Sequence, residues 1–254
     1  MNIVVLVKQV PDTWSERKLR ADDSTLDRDA ADAVINELDD YAIEEGLRLQ
    51  EAQGGEVTIV SMGPEKAAEA IRKALSMGAD KAVHLSDEAL RGSDGLVTSA
   101  VLAKVLERTG FDLVILGSES TDARMGTLAA MLAERLGVPQ MSFASKVDID
   151  GTAISIRRQA DYGYDTVEAA LPAVVSVVEK INEPRYPSFK GIMAAKKKPV
   201  ESLTLADLGD SPEPSATEVV SFAARPPRAA GVIVTDEGGG GAQAAEFLAA
   251  RKFI

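Results

Sequence analysis

Runs of apolar residues alternate along the chain with segments whose apolar positions recur every three or four residues. The first run, IVVLV (3–7), is unbroken, the mark of a strand covered on both faces of a parallel sheet. An Asp-rich loop follows. From about Asn36 to Ala52 the positions Ala42, Gly46 and Leu49 recur at helical spacing, with charges on the opposite face. EVTIVSM (56–62) predicts a second strand, and Gly63-Pro64 turns it into a helix through Ser76 whose inward stripe is Ala67, Ile71, Ala74 and Leu75. Gly78 is expected to stop that helix in the left-handed conformation that only glycine adopts cheaply. KAVHL (81–85) predicts a third strand, before an apolar helix from about Gly95 to Arg108. FDLVILG (111–117) predicts the fourth, and its loop SESTDARMG feeds a helix ending at Gly137-Val138-Pro139.

Strand–helix units in succession mean a doubly wound α/β fold with a mainly parallel sheet and right-handed crossovers. The texture then changes. Residues 141–149, 153–159 and 164–170 predict a β-ribbon, with Gly151 and Tyr162-Gly163 as turns. PAVVSVV (172–178) returns as a buried strand. Residues 200–230, rich in Pro, Ser and Asp, predict an extended arm without its own core, and GGGGAQAAEFLAARKFI a hinge plus a short amphipathic helix. The domain expectation is therefore 1–199 as the α/β domain and 200–254 as an arm.

Composition narrows the chemistry. The chain has no Cys and one His, which excludes disulfides and Cys-ligated clusters and argues against a His-rich metal site or a Ser-His-Asp triad. A net charge of −12 argues against a nucleic-acid partner, which needs a broad basic face. No apolar run approaches the roughly 20 residues of a membrane span, and MNIVVLVKQV starts without a signal-peptide cleavage site, so a cytoplasmic location is expected.

Open parallel sheets bind ligands beyond the carboxyl ends of their strands, where the strand order reverses. The candidates are Leu6 to Val10, Met62-Gly63 and the loop from Gly117 to Thr127. That loop opens a helix whose free N–H groups favour an anion such as phosphate, although Ser118, Ser120, Thr121 and Asp122 could simply cap it. Neither the dinucleotide-fold glycine fingerprint nor the P-loop motif occurs. His84 reads as a structural histidine in a strand. Gly238 to Gly241 read as a hinge rather than a phosphate wrap, and Trp14 as either an interface anchor or a satellite-core residue. One further stretch stands out: NEPRYPSFKGIMAAKKKP (182–199) carries five Lys or Arg between Pro184 and Val200 and no acid, in an acidic protein. It reads as a solvated connection or as a docking element.

Several stretches together resemble the β subunit of electron-transfer flavoproteins: VLVKQVPD (5–12), INELDDYAIEEGLRL (35–49), IRKALSMGAD (71–80), LVILGSESTD (113–122), LPAVVSV (171–177) and NEPRYPSFKGIMAAKKK (182–198). The resemblance implies a Rossmann-like, adenine-nucleotide-binding fold and an electron-carrier subunit rather than a stand-alone enzyme. It implies an α subunit that holds the redox-active FAD, donors such as acyl-CoA dehydrogenases, and a membrane quinone oxidoreductase as acceptor. AMP with a structural role is expected on this subunit; electron-bifurcating relatives carry a second FAD there, and a free nucleotide-binding signalling module is a further alternative. Carried over, the nucleotide site comprises Leu6, Asn36, Glu37, Leu38, Asp39, Met62, Asp122, Ala123, Arg124, Met125, Gly126 and Thr127. Two stretches depart from the family pattern: Asn36-Glu37-Leu38-Asp39 replaces Asn-Pro-x-Asp, and Met125-Gly126-Thr127 replaces Thr-Gly-Gln. In the ribbon, Gln159 stands where relatives usually carry Glu, and Tyr162 replaces a small or acidic residue. The basic stretch corresponds to a mobile recognition loop that docks the dehydrogenase. Phe189 is its anchor, Arg185, Tyr186, Lys190, Ile192 and Met193 are the further contacts, and the Lys196 to Lys198 run either steers acidic partners or holds the loop's base.

Overall fold

A computed structural model describes residues 1–209, 214–223, 226–228, 230, 231, 233 and 235–254. They form two units, Met1–Val219 and Val220–Ile254. In the first unit the chain runs β1 (Asn2–Leu6), β2 (Gln9–Pro11), β3 (Ala33–Ile35), α1 (Glu37–Gln53), β4 (Glu56–Met62), α2 (Ala68–Met77), β5 (Lys81–Leu85), α3 (Gly95–Thr109), β6 (Leu113–Gly117) and α4 (Leu128–Leu136). It continues as β7 (Gln140–Asp150), β8 (Ala153–Ala160), β9 (Gly163–Ala170), β10 (Ala173–Val177), α5 (Phe189–Ala195) and β11 (Val200–Leu203). The second unit contains α6 (Gly240–Ala250).

Nine strands form one sheet in the order β11-β5-β4-β1-β6-β10-β7-β8-β9, and β2 pairs with β3 in a separate antiparallel hairpin. All neighbours from β11 to β7 are parallel, while β7-β8 and β8-β9 are antiparallel. The ribbon is thus an extension of the main sheet. The unbroken apolar run of β1 has a plain cause. Ile3 and Val5 face the layer built by α1 and α2, and Val4 and Leu6 face the layer built by α3 and α4. Each face needs its own apolar residue, so no polar position alternates.

Four expectations differ from the structure. Gly78 ends α2 with φ 151° and ψ −24°, a positive-φ conformation outside the left-handed helical region, with Leu47 packed where a Cβ would stand. The Asp-rich loop contains a hairpin. The basic stretch is not a free loop, because Phe189–Ala195 is helical. The arm does not begin at residue 200: Val200–Leu203 is the edge strand of the sheet beside β5, and Leu203 and Leu205 are buried in its core. Beyond it, Asp94 at the start of α3 accepts hydrogen bonds from the Ala216 and Thr217 N–H groups (2.8 and 3.1 Å), so the chain lies against its own domain that far. Within the expected arm, residues 210–213, 224, 225, 229, 232 and 234 lie outside the described residues.

Candidate functional site

Strand order reverses beside β1. The chain steps outward from β1 to β4 and β5, then returns to place β6 on the other side of β1. The crevice at the carboxyl ends of β1 and β6 is the switch point, where such sheets hold ligands. Gly117 ends β6 there, and α1 starts so close to it that a Cβ on Gly117 would stand 2.6 Å from Asp39 Oδ1 and 2.7 Å from Leu38 Cβ.

The first turn of α1 is joined to the ends of both strands by buried and part-buried hydrogen bonds. Asn36 Nδ2 donates to Asp39 Oδ1 (2.9 Å) and to the Glu119 carbonyl (3.0 Å), and Asn36 Oδ1 accepts from the Thr121 N–H (3.0 Å). Asp39 Oδ2 accepts from the Lys8 N–H (2.7 Å). Burial pushes the Asp39 carboxyl up to about 7, against the opposing pull of the Asn36 amide and the Lys8 N–H. The sign of the consequence is fixed. The folded state holds a proton that the unfolded state releases near pH 4, so stability falls as pH rises from about 4 to about 7 and Asp39 adds no slope above that. Asp39→Asn should flatten this part of the profile in denaturant melts; an unaltered slope between pH 4 and 7 would contradict it.

The loop after β6 carries the charged centre. Asp122 has a side chain only 2% exposed; its Oδ1 accepts from Lys8 Nζ (2.8 Å) and its Oδ2 from Arg28 Nη2 (3.2 Å). Burial pushes this carboxyl up, but Lys8, Ser120 and Arg28 together pull it further down, to a net value below the usual range. The N-terminus of α4 has no side-chain cap from Thr127, and that of α1 has none from Asn36. The buried Thr121 hydroxyl oxygen has no partner. The loop that holds this hydroxyl, and the Asp122 to which Lys8 and Arg28 are paired, leads into an uncapped helix start, whose free N–H groups favour an anion.

Asn36, Asp39 and Asp122 therefore converge, with Leu6 buried at the end of β1 and Met62 half-buried at the end of β4. Ala123, Arg124 and Met125 are exposed on the loop, Arg124 with φ 48° and Gly126 with φ 66° where it turns into Thr127. Leu38 packs against Gly117 and Glu37 accepts from the Thr13 hydroxyl (2.8 Å), while both also line a cleft of about 560 Å³ with Asp40, Tyr41, Lys73, Arg185 and Tyr186. Sequence reasoning included Lys8 only within the range Leu6 to Val10 and missed Arg28. A lone Lys immediately after the first strand was a signal for Lys8; nothing local marked Arg28.

The basic stretch is bolted down. Arg185 Nε donates to the buried Glu44 (2.7 Å) and its Nη1 to Glu51 (2.6 Å), both on α1, and these partners raise its pKa. Ser188 caps α5 by accepting from the Gly191 N–H (3.0 Å), and a Cβ on Gly191 would stand 2.4 Å from the Ser76 carbonyl at the end of α2. Ala195 is buried. Lys198 Nζ donates to the carbonyls of Leu75, Gly78 and Ala79 (2.9, 3.0 and 2.6 Å), completing the end of α2, and burial lowers its pKa. Lys198 thus holds the base of the segment, while Lys196 and Lys197 are exposed. Tyr186 (95% exposed), Phe189 (81%), Lys190, Ile192 and Met193 stand outward.

The remaining candidates resolve simply. His84, expected as a satisfied structural histidine, is buried in β5 with its Nε2 unpartnered. Trp14 is 95% exposed, so it is no satellite-core residue. The N–H groups of Gly238 and Gly240 are taken by Asp236 (2.8 Å each), which argues against a phosphate wrap, and Gly240 and Gly241 form the first turn of α6. Gln159 Oε1 is buried without a partner. No helix among the described residues is long and apolar enough to cross a membrane.

Comparison with known proteins agrees with this architecture. The electron transfer flavoprotein domain model matches residues 23–208. The chain is 54% identical to the electron transfer flavoprotein subunit beta of Mycobacterium tuberculosis over 264 aligned positions, covering 100% of this chain and 99% of that one. It is 36% identical to the subunit of the same name from Bacillus subtilis, covering 93% of each. A match of this extent, over a doubly wound sheet with its switch point intact, places the chain in the electron transfer flavoprotein family, among the beta subunits.

Proposed function

We propose that this subunit holds AMP at the β1–β6 switch point as a structural nucleotide and docks flavin-dependent dehydrogenases through α5. Membership of the family makes it an electron-carrier subunit with an α-subunit partner. In this reading the α subunit holds the FAD, donors such as acyl-CoA dehydrogenases supply electrons, and a membrane quinone oxidoreductase receives them, with the soluble carrier in the cytoplasm. Two observations carry the nucleotide assignment: the unpartnered Thr121 hydroxyl in the loop after β6, and the uncapped start of α4 into which that loop runs. A phosphate there would accept from the free N–H groups of the first helical turn and from the Thr121 hydroxyl. Leu6 and Met62 offer apolar surface for a base, and Asn36 and Asp39 hold the crevice wall. AMP has no redox-active ring, so when bound it supplies bulk and charge that complete the crevice. Replacement of Asn-Pro-x-Asp by Asn36-Glu37-Leu38-Asp39 leaves both end residues of the motif, and these two make the wall contacts.

Docking rests on Phe189. A single aromatic anchor on a small surface gives a contact that releases quickly, as a carrier serving several partners requires. The test is purification with the α subunit, followed by reduction with an acyl-CoA dehydrogenase. A β subunit that never associates with α, or a heterodimer that accepts no electrons, would contradict the proposal.

The segment from Val220 onward is assigned to the α subunit. No residue of α6 is buried, and Phe247, Leu248 and Phe253 are exposed. Deleting residues 220–254 should weaken heterodimer formation at least tenfold, read by titration of tagged α subunit, while unit Met1–Val219 keeps its melting temperature. Cutting at 200 would be uninformative, because it removes β11. Unchanged affinity for α after deletion from 220 would overturn the assignment.

A further inference from the structure

The excursion between β2 and β3, residues 12–32, is tied to three different loops at the carboxyl end of the sheet. Asp23 accepts from Arg91, which follows β5 (2.7 Å). Asp29 accepts from Lys66, which follows β4. Arg28 donates to Asp122, which follows β6 (3.2 Å). With the strand order β5-β4-β1-β6, these ties carry the segment across the strand ends from one side of the switch point to the other. They are unequal. The side chains of Asp29 and Lys66 are each 71% exposed, and those of Asp23 and Arg91 are 38% and 48% exposed, so solvent screens both pairs. Asp122 is 2% exposed and joins Arg28 of the strap to Lys8 at the end of β1. Charge-assisted bonds to a carboxylate shielded from water are the strong ones.

We infer that residues 12–32 are a strap closing the switch-point crevice, and that Asp122 is its latch, acting on the nucleotide through Lys8 and Arg28 rather than by contact. Both carboxylate oxygens are engaged by cations, and a carboxylate repels a ligand whose phosphate is itself an anion, so direct contact between Asp122 and the phosphate is disfavoured. Asp122 is thus a positioning residue whose effect is on nucleotide release. This inference rests on the proposed AMP site.

The experiment uses the α–β heterodimer loaded with radiolabelled AMP. Amide hydrogen exchange over residues 12–32 and the rate of AMP release are measured for wild type, Arg28→Gln, Arg28→Lys, Asp122→Asn and Asp29→Asn. Arg28→Gln is the decisive variant, since Arg28 is 41% exposed and its loss does not strand a buried charge in the core. Both Arg28→Gln and Asp122→Asn should raise strap exchange and AMP release by about tenfold, the factor that 1.4 kcal/mol gives. Asp29→Asn should change neither, and Arg28→Lys should restore most of the wild-type rates. Unchanged strap exchange in Arg28→Gln would overturn the latch. Faster strap exchange with unaltered AMP release would overturn closure over the nucleotide. A wild-type heterodimer that retains no AMP would instead overturn the nucleotide reading itself, a result distinguishable from either.

Discussion

Phe189→Ala is expected to weaken productive docking on a flavin-dependent dehydrogenase by about ten- to a hundredfold, since burying a Phe is worth roughly 1.5–3 kcal/mol. The ring is 81% exposed in the free subunit, so its removal takes nothing from the core. Reduction of the heterodimer by the dehydrogenase should slow while its melting temperature stays within a degree or so. The rigid seating of α5 sharpens this expectation: a helix fixed by Arg185, Gly191 and Lys198 presents the ring without having to order first. The lysine run divides accordingly. Neutralising Lys196 and Lys197 together should lower the association rate, an effect that fades as salt rises. Lys198→Met should lower stability instead, because three carbonyls at the end of α2 lose their charged donor. An unchanged dehydrogenase rate for Phe189→Ala would move docking to another surface.

Gly117→Ala is the second large effect. The added Cβ would meet Asp39 Oδ1, Leu38 Cβ and the Leu38 carbonyl carbon at 2.6, 2.7 and 3.0 Å, and backbone cannot swing aside as a flexible side chain can. Overpacking of this kind costs about 1–3 kcal/mol, or roughly 5 °C of melting temperature at this size. It also pushes the first turn of α1 off the crevice wall, so nucleotide retention should fall with stability. Gly126→Ala is the control. Nothing lies within 4 Å of its added Cβ, and only the cost of φ 66° remains. Equal melting temperatures for Gly117→Ala and wild type would show that α1 does not bear on β6 as described.

Much of this was legible in the chain. IVVLV and FDLVILG read as strands with two covered faces, and their order with the intervening helical stripes implied a doubly wound sheet and a ligand end. What escaped was set by contacts distant in sequence. Phe189–Ala195 has too few residues for periodicity to reveal a helix, and what holds it is Lys198 on three carbonyls at the end of α2 and Arg185 on two carboxylates of α1. Val200–Leu203 shows a polar, Pro-flanked texture because it is an edge strand with only Leu203 buried. The Arg28–Asp122 pair spans 94 positions, and no local pattern points from one to the other. Arg185, expected among the partner contacts, proves to be held internally by acids that lie 141 and 134 positions away.

The most direct measurement is the identity and number of nucleotides released from the purified α–β heterodimer by denaturation. One FAD and one AMP per heterodimer is the result predicted for a carrier whose β subunit is completed by a structural nucleotide at the switch point. Two FAD and no AMP, or one FAD alone, would contradict it.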